Sequence, residues 1–315
     1  MKKIAFFASA IAAAAFGTAH ADISVSGSTK LTYVDAGGNT QLQNGGDVSF
    51  GMSTTTDAGV TISAGAGITA DSDSTTKGGA GGSGLTSLSF GFANGSITIG
   101  HDLGVADGKG KVGELVSHAD TFNVTTSYIP GIIDDEGSGI SASTSIGDMS
   151  LALVYNADGG GAGDIDGATV TNASASLSMP LGGASLTVAH ATSESGTSDS
   201  AETGVALSYG VAGGTIELGF TGVSTDDTDK EGESYGVAYS TSLNGLALGL
   251  GIQNSEGGSS KDTTTTDVTI SSPLGGGASI FAEYRSISGN GAGSESGTLS
   301  KQVIALGTSV SFRSE

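Results

Sequence analysis

From Ile23 to Tyr33 the odd positions hold Ile, Val, Gly, Thr, Leu and Tyr, and the even positions hold Ser24, Ser26, Ser28, Lys30 and Thr32. A period of two is that of a strand with one apolar and one polar face. The pattern returns in Val60, Ile62, Ala64, Ala66 and Ile68, in Leu88, Phe90 and Phe92, and in Leu246, Leu248, Leu250 and Ile252. It closes the chain with Ile304, Leu306, Thr308, Val310 and Phe312. The residues between these are mostly Ser, Thr, Gly and Ala. Extended along the chain, the pattern predicts sixteen strands: 23–34, 47–57, 59–70, 85–94, 96–102, 138–146, 149–157, 168–179, 184–193, 200–210, 214–224, 232–243, 246–255, 262–272, 277–288 and 298–312.

The connections are of two kinds, and the kinds take turns. The short ones are Asp57-Ala58-Gly59, Asn94-Gly95, Gly147-Asp148, Pro180 to Gly183, Val211 to Gly213, Asn244-Gly245 and Pro273 to Gly276. Asn-Gly favours the primed hairpin turns whose twist suits flanking strands. The long ones are 35–46, 71–84, 103–137, 158–167, 194–199, 225–231, 256–261 and 289–297, and they carry most of the acids. Residues 121–129 also read as a strand, but counting it would put the long connection 158–167 among the short ones. Assigning all of 103–137 to one loop keeps the order. Short turns alternating with long loops around an even number of strands are the layout of an outer-membrane β-barrel.

A soluble sandwich also alternates, but here the polar face is too poor in Leu, Ile and Phe to build a packed interior. Closing the sheet satisfies every backbone group between strands, as lipid demands. The apolar face then points outward, and sixteen strands leave an aqueous channel rather than a filled core. Tyr33, Phe50, Tyr155, Tyr209, Phe220, Tyr235, Tyr239, Tyr284 and Phe312 are candidates for the aromatic girdles of such a wall, or ordinary strand aromatics.

The first residues read as an export signal. Lys2 and Lys3 precede an apolar core from Ile4 to Phe16, and Ala19-His20-Ala21 is a small-x-small cleavage site. The expected signal peptide is 1–21, leaving a barrel domain at 22–315. The apolar run falls short of the roughly 20 residues that a spanning helix needs. Cysteine is absent, which removes disulfides and cysteine-based metal sites. The net charge is -21; without Lys2 and Lys3, nine bases face 32 acids and the charge is -23. Such a surface excludes nucleic acid as a partner and attracts cations. The 55 glycines alone would allow disorder, but the order of the residues argues for strands.

The layout resembles the Gram-negative general porins, especially their alphaproteobacterial members. Val25-Ser-Gly27-Ser-Thr-Lys30-Leu-Thr-Tyr33-Val34 is similar to the family's opening strand, in which a glycine, a basic residue and an aromatic follow in that order. The closing strand ends in Phe312, which looks like the signal read by the barrel-assembly machinery. Residues 140–157, with the Gly147-Asp148 turn, look like the hairpin after the family's third loop. The resemblance implies a sixteen-stranded antiparallel barrel, a homotrimer, and a third loop, here 103–137, folded into the lumen. It implies acids on that loop facing basic wall residues. The sequence departs from the family in having few wall bases, no arginine cluster and no tryptophan, and in placing Arg313, Ser314 and Glu315 after the terminal aromatic.

The candidate constriction residues are Asp107, Glu114, Asp120, Asp134, Asp135 and Glu136, which form either a cation-favouring ring or a solvated external loop. Lys30, Glu283, Arg285 and Lys301 are expected on the lumen wall, since a charge facing mid-bilayer lipid costs a few kcal/mol. Strands one, fifteen and sixteen, which carry the bases, become neighbours on closure. Asp164, Asp166, Asp226 and Asp229 resemble fragments of calcium loops, but no full loop pattern is present and solvated acids are the simpler reading. His101 and His118 flank the expected constriction, and His190 lies beyond it. Ser74-Thr-Thr-Lys77 has Ser-x-x-Lys spacing inside a Ser/Thr/Gly-rich loop, where it arises by chance, and no nucleophile elbow accompanies it.

The expectation is therefore a passive channel for small hydrophilic solutes and ions across the bacterial outer membrane, with a mild cation preference, no cofactor and no catalysis. The rivals are a secreted acidic β-solenoid or adhesin, which would need a fixed repeat period, and an outer-membrane barrel enzyme, which would need a catalytic set at the rim.

Overall fold

A computed structural model describes residues 22–36, 39–72, 79–100, 103–105, 138–158, 170–195, 198–211, 213–226, 231–257, 262–289 and 302–313. The strands are β1 (Asp22–Ala36), β2 (Asn39–Thr55), β3 (Thr61–Ser72), β4 (Gly79–Phe92), β5 (Gly95–Gly100), β6 (Ser138–Ile146), β7 (Met149–Asp158) and β8 (Val170–Leu181), then β9 (Ala184–Ser195), β10 (Ser198–Val211), β11 (Gly214–Thr225), β12 (Gly232–Leu243), β13 (Leu246–Gly257), β14 (Thr263–Gly275), β15 (Ala278–Gly289) and β16 (Gln302–Arg313). Each pairs with its sequence neighbours, and β1 pairs antiparallel with β16, so the sheet is a closed barrel. A solenoid stacks repeats along an axis; this chain instead returns to its own first edge.

The two faces are sorted in the sense opposite to a water-soluble core. Leu31, Leu153, Leu250, Leu306 and Phe312 are exposed on the outside, while Asn156, Asn172, Thr221, Ser234 and Gln253 are buried on the inside. The sorting is incomplete, because Val34, Val154, Val223, Phe281, Ile287 and Val303 also point inward. No bulky apolar core forms among the described residues: the buried apolar cluster is Ala189 with Ala191. On the inner face, hydroxyls bond across strands instead, as in Ser89 with Thr98 (2.9 Å), Ser178 with Thr187 (2.8 Å) and Ser279 with Ser309 (2.7 Å).

The expected strands match the structure within a few residues, with one systematic difference. Three connections expected to be long are largely strand: Ala36 pairs with Asn39, β3 and β4 continue to Ser72 and from Gly79, and Ser195 pairs with Ser198. The reason is physical. Apolar alternation fades where one bulky apolar residue, Leu42, stands between Asn39 and Asp47, whereas backbone pairing continues there through Gln41, Gln43 and Asn44, opposite Val34, Thr32 and Leu31. At the Asn244-Gly245 turn both residues have positive φ, 51° and 83°, as a type I′ hairpin requires. At the other Asn-Gly pair the turn sits one residue earlier, at Ala93-Asn94, and Gly95 already pairs with Phe92.

The seam between β1 and β16 is keyed by an aromatic on a glycine. Gly27 and Phe312 are registered partners on the outer face, and a Cβ at Gly27 would lie 2.8 Å from the Phe312 ring. The glycine of the opening strand is thus the seat of the aromatic that ends the closing strand. Gly27→Val is expected to lower the unfolding free energy of the barrel, read by urea titration, by about 1–3 kcal/mol, the range for overpacking. Thr29→Ser, on the same face and keeping the hydroxyl that donates to the Gly45 carbonyl at 3.1 Å, is expected to leave it unchanged. Loss of the heat-modifiable band on gels measures both.

Candidate functional site

The inner faces of β14, β15, β16 and β1 gather the wall charges. Alternation on β15 turns Phe281, Glu283, Arg285 and Ile287 inward, and all four are buried. Arg285 is registered opposite Asp267 of β14. Its Nε donates to Asp267 Oδ1 at 2.7 Å, and its Nη2 lies 3.2 Å from Glu283 Oε1. One guanidinium is therefore shared by two carboxylates, and the triad sets two acids against one base. Buried charges of this kind persist only when paired.

Lys30 also faces inward. Its Nζ lies 5.3 Å from the centroid of the Phe281 ring, a cation–π contact. The two side chains meet across β16, where Phe281 is registered with Gly307 and Lys30 with Ser309. The Phe281 ring lies against Gly307, where any Cβ would collide with it. The absent side chain on β16 is what lets the ring reach Lys30.

Further acids share the inner face. Glu202 is buried on β10, Glu217 is half-buried on β11 between Ser208 and Ala238, and Asp47 on β2 accepts a hydrogen bond from Ser28 Oγ. Sequence reasoning missed these and Asp267, although parity within their strands was the available signal. Toward the end with the short turns, Thr215, Ser240, Ser242, Thr269 and Ser271 line a cavity of about 400 Å³ on the same wall.

Of the wall charges expected from sequence, Lys30, Glu283 and Arg285 stand on the lumen side, and Lys301 lies outside the described residues. So do Asp107, Glu114, Asp120, Asp134, Asp135 and Glu136, together with segment 121–129. The described start of that connection crosses the inner face, because buried Asn156 of β7 donates its Nδ2–H to the Leu103 carbonyl at 2.7 Å. Asp164, Asp166 and Asp229 also lie outside the described residues. Asp226 accepts the Asp199 N–H at 3.1 Å and donates its own N–H to the Asp199 carbonyl, which clasps the open ends of β10 and β11. His101 and His118 lie outside the described residues; His190 points outward from β9.

The sequence profile of the Gram-negative porins matches residues 8–292. No curated protein sequence matches the chain. Solved structures that share its fold include OmpF of Salmonella typhi in complex with daunomycin, with 12% identity, a TM-score of 0.73, and coverage of 93% of this chain and 97% of that one. The anion-selective porin from Comamonas acidovorans has 15% identity, a TM-score of 0.69, and coverage of 93% and 100%. A mutant of the Rh. blastica porin has 16% identity, a TM-score of 0.64, and the same coverage.

The triad yields a stability prediction. Arg285→Gln leaves Asp267 and Glu283 buried without their shared cation, and is expected to destabilise the barrel by about 3–5 kcal/mol, the usual effect of breaking a buried pair. Combining it with Asp267→Asn and Glu283→Gln is expected to recover most of that loss. Urea unfolding of the three proteins is the measurement.

Proposed function

The chain belongs to the Gram-negative porin family and is a passive diffusion channel of the outer membrane, and from that premise we propose that its pore favours small cations. The supporting observation is the balance of charge on the wall. Among the described inward-facing side chains between the two lips, Asp47, Glu202, Glu217, Asp267 and Glu283 stand against Lys30 and Arg285. Arg285 is held between two of these acids, and Lys30 against an aromatic ring. A wall of one sign raises the local concentration of the opposite ion. An anion-selective porin shares this fold, so the architecture does not set the sign of selectivity and the wall charges can.

We further propose that connection 103–137 narrows the lumen, with Asp107, Glu114, Asp120, Asp134, Asp135 and Glu136 adding negative charge there. The bond from Asn156 to Leu103 supports an inward course from its first residues. So does the burial of Asn172, Glu202, Gln253 and Thr265 on a wall that would otherwise face open solvent. A homotrimer exported through removal of residues 1–21, and folded by the barrel-assembly machinery with Phe312 as its signal, completes the reading. Neither a cofactor nor a catalytic step is required for diffusion.

Planar-bilayer recording under a salt gradient tests the selectivity. The reversal potential is expected to have the sign of cation permeation, to shrink in Glu217→Gln, and to shrink further in Glu217→Lys. A potential of anion sign, or one indifferent to Glu217, overturns the proposal. Deleting 107–120 is expected to raise single-channel conductance, and an unchanged conductance removes the constriction alone.

A further inference from the structure

The apolar belt of the outer wall is uneven. On β16 it runs from Ile304 to Phe312, and on β12 from Tyr235 to Leu243. On β11 it runs only from Ile216 to Phe220, and on β9 the bulky apolar side chains are Leu186 and Val188 alone. A strand tilted by about 40° climbs about 2.5 Å per residue, so a hydrocarbon band about 25 Å tall takes about ten residues. The wall at β9 to β11 is well short of that.

Above the shortened belt lies one registered row of outward residues: Ala175, His190, Thr203, Gly222, Glu233 and Glu256, on β8 to β13 in turn. His190 Nδ1 lies 2.9 Å from Thr203 Oγ1, and Tyr235 donates its hydroxyl proton to Glu256 at 3.0 Å. The small residues Ala201 and Gly222 sink the surface into a depression of about 680 Å³, rimmed by His190, Thr203, Glu231, Glu233 and Glu256. It begins partway up β9 and opens at the tops of β12 and β13, the end that carries the long connections and therefore the external end.

Hydrocarbon is a poor occupant of this trough, since it would face an imidazole, a hydroxyl and carboxylates. A second copy of the chain is no better matched. Among the described residues Lys30, Arg285 and Arg313 all have inward parity, so the described outer wall of a neighbour offers these carboxylates neither lysine nor arginine. An anionic headgroup would meet like charge. Glu233 and Glu256 are themselves directly opposed across strands, an arrangement that destabilises a sheet unless a cation stands between them.

We propose that this trough seats the headgroup of an outer-leaflet lipid bearing an ammonium and hydroxyl groups. The ammonium sits between Glu233 and Glu256, and hydroxyls bond the His190–Thr203 pair. The headgroup lies deeper than its neighbours and accommodates the short belt, as bilayers do beside short apolar spans.

The test is native mass spectrometry of the full chain purified in detergent and titrated with three amphiphiles: dodecyl glucosaminide, dodecyl glucoside and dodecyl phosphate. The aminosugar is expected to half-saturate at about tenfold lower concentration than the glucoside, the strength of one charge-assisted contact. Glu233→Gln with Glu256→Gln is expected to abolish that difference. His190→Leu, which suits an outward position, is expected to weaken both sugars. Equal retention of all three amphiphiles, or a preference that survives the double substitution, overturns the proposal. In this cysteine-free chain, a His190→Cys variant that cross-links to a second copy in vesicles would make the face a subunit contact and overturn it equally.

Discussion

Every backbone N–H and C=O that enters hydrocarbon must find its partner inside the protein. That demand governs the molecule. It forbids a free sheet edge, so β1 must meet β16, and ten registered pairs from Ser26–Arg313 to Asp35–Ile304 supply the last ladder. The seam joins residues far apart in sequence, and the Phe312 ring resting on Gly27 marks its register. A one-residue slip there would turn every side chain of β16 to the wrong face.

Closure makes the two faces into two environments, and the residues follow. Outside, bulky apolar side chains need only contact lipid, so no jigsaw of core packing is required, and among the described residues the buried apolar cluster inside is two alanines. Inside, hydroxyls bridge neighbouring strands, and charges that would be untenable in the wall's outer half are held in pairs. The Asp267–Arg285–Glu283 triad shows the balance: one base is held between two acids, which outnumber it. Placing it on adjacent strands and in register makes the arrangement rigid without any loop.

Most of this architecture was legible because a strand in a membrane wall advertises itself by parity. Lys30, Glu283 and Arg285 could be placed on the lumen side from their neighbours' character alone. Asp267 obeys the same parity, but its meaning depends on facing Arg285 across a ladder whose register no local pattern states. The strand ends failed for a related reason: Gln41 and Asn44 pair as strand with Val34 and Leu31, but from Asn39 to Asp47 the sequence offers one bulky apolar residue, Leu42, too few to show an alternation. Turns were readable where backbone chemistry is demanding, as at Asn244-Gly245, and were misplaced by one residue at Ala93-Asn94, where it is not. The polar row at His190 breaks the alternation visibly, but only registration across β8 to β13 shows that these isolated exceptions form one surface.

Lys30 rests over Phe281 in the space left by Gly307. A long cationic side chain projecting toward the axis would narrow the bore as well as set its potential. Folded onto a ring that is itself folded onto a bare stretch of backbone, this one places its charge at the perimeter and takes little of the cross-section. Solute size and ionic preference can then be adjusted by different residues, so that a change in one need not disturb the other.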